Sequence, residues 1–141
     1  MKYIIYISTA SIYFDTSSLE KMLLQYRKNN EATQVTGMML FSEGIFLQVL
    51  EGKQEDVDKL IKKILKDKRH HSIIQLGSAL IEERIFKTWS MGFQQISKEE
   101  FKQATKFINL DVPETISAPT QDNRHPAVAI LQDFAKNMKM N

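Results

Sequence analysis

Residues 36 to 51 read TGMMLFSEGIFLQVLE. An apolar run from Thr36 to Phe41 and a second from Ile45 to Glu51 flank Ser42-Glu43-Gly44. Two apolar runs joined by a short polar break ending in glycine read as a β-hairpin, with Gly44 supplying the positive φ of the turn. The two strands are therefore antiparallel neighbours, and the rest of the chain is read outward from them.

Upstream, residues 2 to 8 are β-branched and aromatic over a strand length, and the turn-rich stretch from Thr9 to Thr16 ends them. Ser17-Ser18-Leu19-Glu20 has the form of a capping box, and Leu19, Met22, Leu23 and Tyr26 follow at helical spacing, which predicts a helix to about Asn29. Downstream, Val57, Leu60, Ile61, Ile64 and Leu65 form the one-sided stripe of a second helix over Gln54 to Asp67. Ser72 to Leu80 reads as a fourth strand and Trp89 to Ile96 as a fifth, joined by the charged, solvated segment Glu82-Glu83-Arg84. The order βαββαβ, then β, predicts an α+β, ferredoxin-like βαββαββ fold: a mixed five-stranded sheet with two helices on one face, where right-handed crossovers place them.

Past Ile96 the pattern changes. Ser97-Lys98-Glu99-Glu100 offers a capping box for a short helix to about Phe107, and a loop bearing Pro113 and Pro119 follows. His125-Pro126 opens a last helix whose apolar stripe is Ala127, Ile130, Leu131, Phe134 and Met138. A sheet covered on one face needs a second cover, so these C-terminal helices are expected to cap the other face. The domain division expected is 1–96 with a C-terminal helical extension over 97–141.

The 141 residues are 43% hydrophobic and 26% charged, with five Gly and three Pro, which excludes disordered, collagenous and coiled-coil classes. Lys+Arg 19 against Asp+Glu 17 leaves +2, no electrostatic footprint for nucleic acid or an anionic membrane. The chain has no cysteine, which removes disulfides, thiolate nucleophiles and iron–sulfur clusters. Its apolar runs fall far short of the roughly 20 residues that cross a bilayer. Lys2 to Ile7 resembles the start of a signal peptide, but the apolar part is short and no small-residue cleavage site follows, so a cytoplasmic location is expected.

Enzyme templates find little support. The glycines are scattered singly, without a phosphate loop, and no nucleophile elbow is present. His70-His71 are adjacent, point different ways and lack further spaced ligands, which favours capping or solvated histidines over a metal site. Polar residues inside apolar strands say more. Tyr6 lies among Ile4, Ile5 and Ile7, and Gln48 interrupts Phe46-Leu47 and Val49-Leu50. Buried without partners, such groups cost roughly 2 to 7 kcal/mol each on transfer scales. Either the Tyr6 hydroxyl bonds the Gln48 amide, or the Tyr6 tip reaches the sheet edge and Gln48 faces outward. Asn29-Asn30 read by default as helix terminators. Trp89 and Met91, two residues apart, share one strand face, the usual signature of core.

Taken together, Ile5-Tyr6-Ile7-Ser8, Asn29-Asn30, Val35 to Leu40, Phe46 to Gly52, Asp67-Lys68-Arg69-His70-His71 and Phe86 to Met91 resemble, in order and spacing, the BLUF family of blue-light sensors that use FAD. The resemblance runs to about Phe93 or Ile96. It implies a photoswitch of Tyr6, Gln48, Trp89 and Met91, and flavin contacts from Tyr6, Leu23, Asn29, Asn30, Gln48, Lys63, Ile64, Asp67 and His70. Asn30 would anchor the imide edge of the flavin ring, which would lie between the two helices. Lys63 stands where many members have Arg, and Asn29 where some have His. FAD is the implied cofactor, with FMN or riboflavin as substitutes. A short member without a separate output domain would signal through its C-terminal helices to a homo-oligomer or a protein partner, not to nucleic acid or a membrane. Two other readings compete: a flavin-dependent reductase, for which no hydride-donor site is marked, and an RNA-recognition sheet without flavin. The latter needs exposed aromatics in a basic motif that Phe46 to Glu51 does not reproduce.

Overall fold

The computed structural model describes residues 1–86, 90–105 and 128–132. Its elements are β1 (Lys2–Ala10), α1 (Thr16–Thr33), β2 (Thr36–Ser42), β3 (Ile45–Gly52), α2 (Gln54–Lys66), β4 (His70–Leu80), β5 (Gly92–Gln95) and α3 (Lys98–Thr105), with a further helical stretch over 128–132. The strands form one sheet in the order β4-β1-β3-β2-β5. β3 pairs antiparallel with both β1 and β2, β4 pairs antiparallel with β1, and β5 runs parallel to β2. This is the expected βαββαββ mixed sheet.

The hairpin forms as read, and its turn places both Glu43 (φ 43) and Gly44 (φ 85) in the left-handed region. Two consecutive positive φ values match the right-handed twist of the flanking strands. At the start of β2, a Cβ on Gly37 would sit 2.1 Å from the Val49 carbonyl oxygen, so only glycine lets β2 lie that close to β3.

α1 departs from expectation at both ends. Its cap is Asp15, whose side chain accepts from the Ser18 amide at 2.7 Å while Ser18 Oγ takes the Asp15 amide at 3.1 Å, so the capping box lies two residues ahead of the one expected. The helix runs past Asn29-Asn30 to Thr33 and ends at Gln34 in the left-handed conformation, with the Gln34 amide bonding the Asn30 and Glu31 carbonyls. Asn29 and Asn30 are thus interior helical residues, because Gln34 supplies the terminating geometry instead. β5 is shorter than expected: Met91 immediately precedes it, and Trp89 lies outside the described residues. α3 carries the expected capping box, the Glu100 amide donating to Ser97 Oγ at 3.0 Å.

Strand alternation sorts side chains onto two faces. On the α1/α2 face, Ile4, Tyr6, Met39, Phe41, Phe46 and Leu50 pack with Leu19, Met22, Leu23, Val57 and Ile64. On the other face, Tyr3, Ile5, Ile7, Met38, Leu40, Leu47 and Val49 pack with Ile96, Phe101, Val128 and Leu131. The C-terminal segments therefore cover the second face, and Val128 and Leu131 are fully buried there. Of the expected apolar stripe, Ala127, Phe134 and Met138 lie outside the described residues.

Candidate functional site

Antiparallel register sets Tyr6 of β1 opposite Gln48 of β3, with Met39 of β2 on the other flank of Gln48. All three side chains face α1 and α2. The Tyr6 hydroxyl donates to Gln48 Oε1, and Gln48 Nε2 reaches the Met91 Sδ at 3.6 Å. Tyr6 is 1% exposed and Gln48 4%, so of the two arrangements considered from the sequence, the bonded pair is the one formed. Burial pushes the Tyr6 phenol well above its usual range, with Tyr26 and Asp67 adding to the shift, so it stays protonated and donating. A thioether is a weak acceptor, which leaves the Gln48 NH2 the least committed group of the trio.

Beside Gln48 lies a small cavity of about 10 Å³, lined by Phe14, Met22, Tyr26, Met39, Phe46, Gln48, Arg69 and His70. Phe14 and Phe46 meet edge-on with centroids 5.8 Å apart, forming an aromatic wall. At the mouth, Arg69 Nη2 lies 2.6 Å from Asp67 Oδ2 and its guanidinium carbon 5.3 Å from the Tyr26 ring centre. The hydrogen bonds from Arg69 hold Asp67 below the ordinary carboxylate range. Burial pushes Tyr26 up to about 12, against a smaller opposing pull from Arg69. His70 is buried, its Nδ1 3.1 Å from Ser8 Oγ. Its Nε2 is buried without a partner among the described residues. Burial lowers its pKa, favouring the neutral ring.

Toward the C-terminal end of α1, Asn30 Nδ2 donates to the Ser90 carbonyl at 2.6 Å and Arg27 Nε to the Met91 carbonyl at 3.0 Å. One turn of α1 therefore holds the segment that leads into β5. Among the described residues, the second N–H and the side-chain carbonyl of Asn30 have no partner.

The expected site residues divide accordingly. Tyr6, Gln48, Asn30, Met91 and His70 are buried, Leu23 and Ile64 are buried in the helix-face core, and Asp67 is half-buried against Arg69. Asn29 and Lys63 are exposed and do not line the cavity: Asn29 turns outward because it continues the polar face of α1, and Lys63 stands on the solvent side of α2. His70 corrects the reading of both histidines as capping or solvated, since only His71 is exposed. The sequence reading missed Arg69, Tyr26, Phe14 and Arg27. Arg69 and Tyr26 carried a signal, the first inside the Asp67 to His71 run and the second on the apolar stripe of α1, whereas nothing local marks Arg27. No group of three or more His, Cys, Asp or Glu side chains among the described residues could hold a metal.

The chemistry of these side chains fits a flavin ring. Its flat apolar body needs walls such as Phe14, Met22, Met39 and Phe46, and its polar edge needs donors and acceptors such as the Gln48 NH2 and His70 Nε2, which the protein leaves weakly matched or unmatched. The cavity has room for little more than one water, far below the roughly 300 Å³ of typical small-molecule sites, so the lining side chains must part to admit a ring.

A family model described as "BLUF: Sensors of blue-light using FAD" matches residues 1–92. The photoactivated adenylate cyclase subunit alpha of Euglena gracilis is 35% identical over 72 residues, 51% of this chain but 7% of that protein. The blue light- and temperature-regulated antirepressor BluF of Escherichia coli (strain K12) is 36% identical over 58 residues, 41% of this chain and 14% of that protein. The chain thus spans a small part of the curated relatives it matches. A solved structure of BlsA in its photo-activated state superposes with a TM-score of 0.75 at 25% identity, covering 99% of this chain and 98% of that one.

Proposed function

The chain belongs to the BLUF family, sensors of blue light using FAD, and from that we propose that it is a blue-light photoreceptor which binds FAD in the cavity beside Gln48 and switches through Tyr6 and Gln48. The observation that carries this reading is the buried Tyr6–Gln48 pair, with the Gln48 NH2 offered only a thioether among the described residues. When bound, the flavin supplies absorption of blue light and an electron acceptor. Tyr6, kept neutral by burial, holds its proton on the hydroxyl oxygen directed at Gln48 Oε1. Rotation of the Gln48 amide by half a turn exchanges Oε1 and Nε2, so that the NH2 meets the Tyr6 oxygen and the carbonyl meets Met91. The phenol must then turn its proton elsewhere. Two hydrogen-bond patterns are thus available to one set of side chains, which is what a switch requires.

Asn30, Leu23, Ile64, Asp67 and His70 would complete the pocket, Asn30 through its remaining N–H and carbonyl. Residues 1–96 would act as the photosensory unit and 97–141 as the output extension, engaging a second copy or a protein partner. Light sensing rather than turnover is the role that fits, since the site assembles a hydrogen-bond relay and not a substrate cleft. The test is spectroscopic: purified protein loaded with FAD should be yellow, and blue light should shift its absorption reversibly to the red. Protein that stays colourless with ample FAD, or yellow without a shift, overturns the reading.

A further inference from the structure

Glu51 is fully buried, three residues beyond Gln48 on β3 and on the opposite face of the sheet. Its carboxylate accepts from the Ile85 amide at 2.8 Å, the Phe86 amide at 2.6 Å and Thr36 Oγ1 at 3.1 Å. Arg84 Nη1 donates to Thr36 Oγ1 at 3.1 Å and to the Glu51 carbonyl at 3.3 Å. Phe86 lies in the core that holds Val128 and Leu131, whereas Met91 lies in the helix-face core with Tyr6. Ser90 and Met91 are gripped by Asn30, Arg27 and Gln48. Beyond Met91, β5 has four residues and, among the described residues, pairs only with β2, in parallel.

We infer that Glu51 is a positioning residue of the light response, an upstream anchor that fixes Ile85 and Phe86 so that displacement of Met91 is directed into β5, Ile96 and α3. The inference rests on the photoreceptor reading above. A carboxylate that accepts two backbone amides and a hydroxyl in a dry site holds the chain firmly, because each charge-assisted bond lacks competition from water. β3 is the central strand and cannot follow Met91. A short, singly paired edge strand can, and it leads through the Ile96 amide, bonded to the Phe41 carbonyl at 2.9 Å, into α3. With the anchor removed, Ile85 and Phe86 are free to give way when Met91 moves. Displacement is then lost before reaching β5.

The experiment uses the full chain loaded with FAD, as wild type and Glu51→Gln, with hydrogen–deuterium exchange of peptides over 92–101 followed in the dark and under blue light. Glutamine keeps the shape but turns an NH2 toward one of the two backbone donors. The expected result is an unchanged red shift with loss of the lit-minus-dark exchange difference over 92–101. A merely structural role would raise exchange equally in dark and light and preserve that difference, which overturns the anchor. If Glu51→Gln does not fold, Arg84→Met is read instead: it leaves the carboxylate and weakens its frame, so a reduced lit-minus-dark difference supports the anchor and a full one overturns it. Absence of any red shift in the wild type overturns the photoreceptor reading itself, and the anchor with it; a normal red shift with a wild-type exchange difference in the variant overturns the anchor alone. Fluorescence of the single tryptophan, Trp89, gives an independent dark–light signal from the same segment.

Discussion

Removing the Tyr6 hydroxyl tests the centre of the site. In Tyr6→Phe the ring stays and Gln48 Oε1 loses its donor in a place where the two side chains are 1% and 4% exposed. An orphaned buried acceptor costs about 1–3 kcal/mol, which moves Tm by roughly 3–10 °C in a domain of this size. Gln48→Leu orphans the hydroxyl in turn, a similar cost partly offset by the added apolar burial. The double variant leaves neither group stranded. Its loss should therefore fall short of the sum of the single losses by about 1–2 kcal/mol. Urea unfolding of the four flavin-free proteins measures this directly and keeps differences in flavin affinity out of the comparison. Additivity within about 0.5 kcal/mol would show that no such bond operates. In the flavin-loaded proteins both single variants should be yellow and lack the reversible red shift. A normal shift in either removes that residue from the switch.

Asn30→Ala should weaken flavin retention and also free the Ser90 carbonyl, so dialysis should strip flavin faster than from wild type; unchanged occupancy would confine Asn30 to holding Ser90. His70 has its pKa lowered by burial, so the unfolded chain takes up a proton first as pH falls through about 6.5, and stability held above that pH drains away toward the lower folded value. His70→Gln should flatten that acid-side slope in urea midpoints measured between about pH 7.5 and 5, and an unaltered slope would assign it to other groups. Leu131→Ala empties a fully buried site on the second face and should cost about 2–5 kcal/mol while leaving the red shift intact; a loss below 1 kcal/mol would mean the C-terminal cover contributes little.

The hairpin, both helices and the succession of strands along the chain were legible because period-two and helical apolar spacing report burial directly; the lateral order β4-β1-β3-β2-β5 is set by pairing and was not. Tyr6 and Gln48 were visible as polar breaks in apolar strands, although register alone decides that they meet, and register is a property of the pairing rather than of either strand. Asn30 was misread as a terminator because asparagine commonly ends helices; what keeps it helical is Gln34, four residues on, adopting the left-handed conformation without being glycine. Asn29 and Lys63 stood in the expected site on position in a motif, but an α-helix turns about 100° per residue, so the neighbours of buried Asn30 and Ile64 face water. Arg27 was silent for a related reason. Its partner is a backbone carbonyl 64 residues away, and a carbonyl has no sequence signature.

Gln48 and Glu51 also show why β3 is the strand to build a sensor on. It sits between β1 and β2, shielded on both faces, so its side chains keep fixed positions relative to the rest of the sheet. Three residues of extended chain turn from one face to the other, which lets a single rigid strand touch Met91 through an amide on one face and Ile85 and Phe86 through a carboxylate on the other. The two contacts differ in kind. The amide nitrogen faces a thioether, and rotation exchanges its one strong bond with Tyr6 for another, whereas the carboxylate is bound to two backbone amides and a hydroxyl and would forfeit all three by moving. On the proposed reading, this inequality gives the response its direction. A perturbation at Gln48 meets a yielding contact at Met91, cannot shift Ile85 and Phe86, and is left with the short edge strand β5 as the element that can move.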